Sequence, residues 1–169
     1  MWRLDGRSSY FEWLNAGRYD ARSERGTMTR VTEGLIRYLY FGFDAENLYL
    51  RVDTDGPARE RLSGIDQLLL RFVEPAETSV TISGFDTAAP AALFKRSSKR
   101  ASRPPIALAL DKVLELALPL SELRLSCGDA VSFVVDLVAK RQSIERVPAE
   151  GEIMLTVPSA DFEAIMWQA

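Results

Sequence analysis

From Leu35 to Val157 the apolar residues of this chain recur at every second position, a period that builds strands and excludes an amphipathic helix as the repeating unit. In "NLYLRVD" Leu48, Leu50 and Val52 fall on one side and Tyr49, Arg51 and Asp53 on the other, as a half-buried strand requires. The preceding "LIRYLYFGF" is bulky on both sides. "DAEN", Asp44 to Asn47, is a polar four-residue connection suited to a hairpin around a type I turn, so these two strands should pair antiparallel.

The same spacing continues. "QLLLRFV" aligns Leu68, Leu70 and Phe72, "SVTIS" aligns Val80 and Ile82, and "PIALAL" aligns Ile106, Leu108 and Leu110. After a two-residue turn at Asp111 and Lys112, "VLELALPL" sets Leu114, Leu116 and Leu118 inward, with Pro119 marking the exit from ladder hydrogen bonding. "AVSFVVDLVAK" puts Val131, Phe133, Val135 and Leu137 on one face, and "EIMLTVP" aligns Ile153, Leu155 and Val157. Short strands at regular spacing with turn signals between them predict an all-β, antiparallel two-sheet β-sandwich of immunoglobulin-like or jelly-roll type.

Helical signals are confined to short stretches. Ser9 with Glu12 forms a capping box, and Gly17 is placed to end the resulting helical turn, so "YFEWLNAG" reads as helical with Phe11 and Leu14 facing the body. "LSEL" after Pro119 reads as one helical turn, and "DFEAIMW" as a closing turn. With no internal repeat and no linker, residues 1–169 read as one domain, long enough to bury roughly 70% of the surface its unfolded chain exposes.

Composition narrows function chiefly by what is missing. The chain has no histidine, which removes the commonest general base, zinc ligand and haem ligand together. Cys127 is the single cysteine, so no internal disulfide forms and no histidine is there to activate the thiol. No G-x-S-x-G elbow, phosphate-binding glycine loop, C-x-x-C pair or H-E-x-x-H occurs, so the reading is of a chain that is not an enzyme. A net charge of −3 gives no overall pull toward nucleic acid or an anionic membrane, and neither is expected as a partner. No apolar run approaches the roughly 20 residues that span a bilayer, and the polar "MWRLDGRSS" lacks a signal-peptide core. A cytoplasmic location is favoured.

Several side-chain groups invite chemistry. "KRSSKRASR" carries Lys95, Arg96, Lys99, Arg100 and Arg103, and reads as an exposed, mobile connection with solvated charges in preference to a polyanion contact. Asp53, Asp55, Asp66 and Asp136 stand at or beside strand ends, where oxygen-rich sets can hold calcium but where Asp is also the standard turn residue, the preferred reading. A glycosidic cleavage by two of these carboxylates needs a spacing that sequence does not reveal.

The remaining candidate is aromatic. "SSYFEWLNAGRYD" gathers Tyr10, Phe11, Trp13 and Tyr19 beside Asn15, Arg18 and Asp20, the mixture of ring faces and polar groups that meets a sugar's apolar C–H faces and polar rim. Tyr10, Trp13 and Tyr19 are the candidate ligand-binding residues, against the alternative that this stretch plugs one end of the core. Tyr38, Tyr40 and Trp167 read as packing residues.

"SYFEWLNAGRYD", "LYFGFDAENLYLRVD", "LELALPLSELRLSCGDAVSFVVDL" and "PSADFEAIMW" together resemble the carboxy-terminal domain of bacterial glycoside hydrolase family 57 enzymes, from about Tyr10 to Trp167. That domain is grouped with DOMON-like and glucodextranase carboxy-terminal-like sandwiches and is similar in plan to carbohydrate-binding module family 9. The resemblance implies a non-catalytic accessory domain, excised from the carboxy terminus of a larger enzyme acting on α-glucans, whose catalytic residues lie in a separate barrel. Its implied partners are an oligosaccharide or α-glucan and the catalytic domain of the same polypeptide. The rival is a structural domain that packs on that barrel or mediates oligomerisation without a sugar site. Some relatives bind haem through Met and His ligands, but this chain has no histidine, so no cofactor is expected.

Overall fold

In the computed structural model, which describes residues 4–7, 17–21, 34–96 and 106–158, each strand expected from the alternation forms. In chain order the elements are β1 (Gly17–Asp20), β2 (Ile36–Phe43), β3 (Asn47–Thr54), α1 (Ala58–Arg61), β4 (Gln67–Glu74), β5 (Thr78–Ser83) and β6 (Ala91–Arg96). They continue as β7 (Ala107–Leu110), β8 (Leu114–Pro119), α2 (Leu120–Leu123), β9 (Ala130–Ala139), β10 (Gln142–Val147) and β11 (Ile153–Thr156).

Pairing is antiparallel throughout. One sheet runs β1-β2-β3-β8-β7; the other runs β10-β9-β4-β5-β6, with β11 on the first half of β9. The two pack face to face as an all-β sandwich.

Alternation decides which side chains meet between the sheets. Leu48, Leu50 and Val52 of β3 and Leu114, Leu116 and Leu118 of β8 face Leu68, Leu70 and Phe72 of β4 and Val131, Phe133, Val135 and Leu137 of β9, and all are buried in one continuous core. Phe133 is a meeting point: its ring lies edge-on to Phe41 of the opposite sheet at 6.3 Å and 6.0 Å from Phe72 within its own. Burying each such side chain contributes roughly 1.5–3 kcal/mol, so the alternation itself drives the sheets together. Glu145 of β10 adds a polar tie, accepting the Ile36 amide of β2 at 2.9 Å.

The DAEN hairpin joins β2 to β3, with the Asp44 amide donating to the Asn47 carbonyl at 3.0 Å. α2 forms on "LSEL", burying Leu120 and Leu123, and Arg124 ends it with φ +53° while the Leu125 amide returns to the Leu120 carbonyl at 3.0 Å.

Four features depart from the sequence expectation. Gly17, expected to end a helical turn, is the first residue of β1, where a β-carbon would lie 2.2 Å from Cε2 of Phe41 and only glycine leaves room for that ring. The turn between β7 and β8 spans 111–113 rather than two residues: Leu110 pairs with Leu114, and Val113 is buried in the turn with its amide donating to the Gly6 carbonyl. β6 and β10 stand where no strand was expected; β6 opens the former "KRSSKRASR" loop by taking Lys95 and Arg96 into the sheet, and in β10 a register shift between Ser143 and Glu145 breaks the alternation. Finally, β3 is buried on both faces, with Tyr49 2% and Arg51 5% exposed.

Residues 8–16, 97–105 and 159–169 lie outside the described residues, so the expected helical stretch from Ser9, the rest of the basic run and the closing turn carry no structural account.

Candidate functional site

The second burial of β3 arises because the outer face of the β1-β2-β3-β8-β7 sheet is not a bland solvent face. Register brings Arg18 of β1 beside Tyr40 of β2, Tyr40 beside Arg51 of β3, and Arg51 beside Glu115 of β8. One row over, Asp20 stands beside Tyr38 and Tyr38 beside Asp53. A third row sets Tyr49 beside Ala117. Charged and aromatic side chains thus tile one face of one sheet.

The β8 side of this face is covered. Glu115, fully buried, accepts the backbone amides of Asp5 and Gly6 at 3.0 Å each through one carboxylate oxygen, while Leu4, like Tyr40, packs against Tyr49 and Ala117. Gly6 (φ +71°) lies so close to the 111–113 turn that a β-carbon would come within 2.7 Å of the Asp111 amide. A short amino-terminal segment is therefore strapped over the sheet by a buried carboxylate.

Toward β1 the described residues leave the face half-exposed. Tyr38 and Tyr40 are half-buried, their ring centroids 6.2 Å apart and inclined by 58°. Arg51 stacks over Tyr40 at 4.6 Å and forms a two-pronged bond with Asp53, Nε to Oδ1 at 2.6 Å and Nη2 to Oδ2 at 2.8 Å. The guanidiniums of Arg18 and Arg37, both exposed, each lie 5.1 Å from the Tyr38 centroid. Arg37 reaches this side because a bulge between Ile36 and Tyr38 interrupts the ladder. The result is a strip of two tyrosine rings with three guanidiniums over them.

At one end the hairpin fixes the strip. Tyr49 donates its hydroxyl to Oδ2 of Asp44 at 2.6 Å, and Oδ1 of Asp44 accepts the amides of Glu46 and Asn47 at 2.8 and 2.7 Å. Burial alone would raise the Asp44 pKa, but the Tyr49 bond and the two amides outweigh it and hold the carboxyl below its ordinary value. Burial, then the Asp44 carboxylate, push the Tyr49 hydroxyl above its own.

Of the expected ligand residues, Tyr10 and Trp13 lie outside the described residues. Tyr19 is described and faces the wrong way for a platform: it pairs with Leu39, packs against the core, and buries its hydroxyl oxygen, leaving Arg18 and Asp20 as the outward residues of β1. Of Tyr38 and Tyr40, read from sequence as packing residues, Tyr40 does pack against Tyr49 and Ala117, and both rings also line the half-exposed strip. The signal for them lay in register, because "RYLYF" alternates Tyr38 and Tyr40 against Leu39, and folding the hairpin sets them beside Asp53 and Arg51.

The acidic residues separate. Asp53 belongs to this face, Asp136 to the outer face of the other sheet near Arg71, and Asp66 accepts the Lys140 amide. Among the described residues no three Cys, Asp or Glu side chains are grouped to hold a metal ion. Cys127 is exposed in the turn before β9. Comparison with protein-family models, with curated proteins and with solved structures returns no match.

Proposed function

We propose that this chain is a non-catalytic carbohydrate-binding domain, an accessory to an α-glucan-active glycoside hydrolase, and that Tyr38 and Tyr40 form its sugar platform. The observation that supports this reading is the grouping itself: two half-exposed rings carry apolar surface of the kind that meets sugar C–H groups, and Arg18, Arg37 and Arg51, which lie over the rings, add hydrogen-bonding groups together with Asp20 and Asp53. Arg51, locked on Asp53 and Tyr40, orders the platform before a ligand arrives, which lowers the entropy that binding must overcome.

Isothermal titration with maltoheptaose and glycogen tests the proposal. Saturable heat is expected, with affinity for maltoheptaose falling about tenfold in Tyr38→Ala, the scale of one stacked ring. Tyr38 is the cleaner substitution, since Tyr40 also packs with Tyr49 and Ala117. Absence of heat with both ligands in a folded protein would favour the rival reading of a structural domain.

A further inference from the structure

We infer, resting on the sugar-platform reading, that the glycan recognised here is anionic and that Arg18 and Arg37 form a clamp for a carboxylate or phosphate monoester carried by its sugar ring. The three guanidiniums are engaged differently. Arg51 is neutralised: both prongs of its fork are taken by Asp53. Arg18 and Arg37 contact the Tyr38 ring, and neither has a carboxylate partner within 4.0 Å among the described residues. Asp20, the cross-strand neighbour of Tyr38, is engaged in an interaction of its own.

Two exposed guanidiniums therefore keep their N–H donors available at one ring. Their Cζ atoms, each 5.1 Å from the same centroid, are at most twice that distance apart. That span admits one anion whose oxygens take N–H bonds of about 2.8 Å from either side. The Tyr38 ring draws both cations toward it against their mutual repulsion, so the pair is held beside the aromatic platform. A neutral glycan would leave the N–H donors of both exposed guanidiniums to water. One anionic group suffices, which fits a chain whose net charge of −3 does not attract polyanions in general.

The test is titration of the full chain with three probes: maltoheptaose, maltoheptaose carrying a glucose 6-phosphate residue, and heptagalacturonate. Each is repeated with Arg18→Gln, Arg37→Gln and Lys95→Gln, the last removing an exposed charge from β6 on the other sheet. At least one anionic probe is expected to bind about tenfold or more tightly than maltoheptaose, since each charged group it satisfies adds a charge-assisted bond. That advantage should fall about fivefold in each of Arg18→Gln and Arg37→Gln, the upper range for an exposed ion pair, and stay unchanged in Lys95→Gln. Whether the phosphate or the uronate binds more tightly assigns the source of the anion.

Equal affinity for neutral and anionic probes would overturn the inference and leave the sugar platform standing. An equal loss in Lys95→Gln would overturn it too, by making the attraction a property of total charge. If none of the three probes binds, the platform falls together with the clamp.

Discussion

The bond between Tyr49 and Asp44 is the sharpest test of how the hairpin is held. In Tyr49→Phe the hydroxyl is lost while the ring, 2% exposed, keeps its packing. The bond removed is short, 2.6 Å, and its acceptor is ionised. Hydrogen bonds to charged groups contribute about 1.5–3 kcal/mol, and because Asp44 is only half-buried the lower end applies, about 1.5 kcal/mol. In a domain of this size that lowers Tm by about 3–6 °C.

Asp44→Ala removes the acceptor outright, whereas the NH2 group that Asp44→Asn puts in place of Oδ2 can still donate to the Tyr49 hydroxyl; the Glu46 and Asn47 amide bonds lost with alanine cancel in the cycle. A double-mutant cycle by urea unfolding should then return a coupling of about 1.5 kcal/mol at pH 7. Its pH dependence follows from the direction of the shifts. Asp44 has a folded pKa below its unfolded value, so its contribution is complete above the ordinary carboxylate range and is lost as pH falls through the folded pKa. Tyr49 has a raised folded pKa, so its contribution is complete below the ordinary tyrosine value, about 10, and is lost only in strong alkali. The coupling should hold steady from pH 5 to 9 and fall by about half in acid, where a neutral bond replaces a charge-assisted one. A coupling below about 0.5 kcal/mol at pH 7, or one that does not decline in acid, would refute the reasoning.

Two further substitutions test the packing. Gly17→Ala should cost about 1–3 kcal/mol by driving a methyl group into the Phe41 ring, and adding Phe41→Leu should restore part of the loss in thermal melts. Glu115→Gln weakens the acceptor for the Asp5 and Gly6 amides, so the Gly6 amide should exchange with solvent about tenfold faster while the β4–β9 core amides keep their protection.

Much of the fold was legible because its information is local. Alternation is written residue by residue, and "NLYLRVD", "LELALP" and "AVSFVVDLVA" carried it without interruption into β3, β8 and β9. β6 and β10 were not legible for the complementary reason: a strand with one sheet neighbour and few buried side chains needs little apolar pattern, and in β10 the bulge at Ile144 also breaks the period. The place of Gly17 in β1 was not legible because a glycine at a helix end and a glycine under an aromatic ring look alike in sequence.

The sequence by itself determined that this chain would form an antiparallel sandwich and which side of each central strand would enter its core, since the hydrophobic effect acts on each side chain according to the alternation. Only the tertiary structure decided what the other side would become. Register set Tyr38 beside Asp53 and Tyr40 beside Arg51, the bulge at Arg37 brought a second guanidinium to Tyr38, and Glu115 anchored residues five and six over β8. These groups come from β1, β2, β3, β8 and the amino-terminal segment, distant in sequence and joined by pairing, so the face exists only once the sheet has closed.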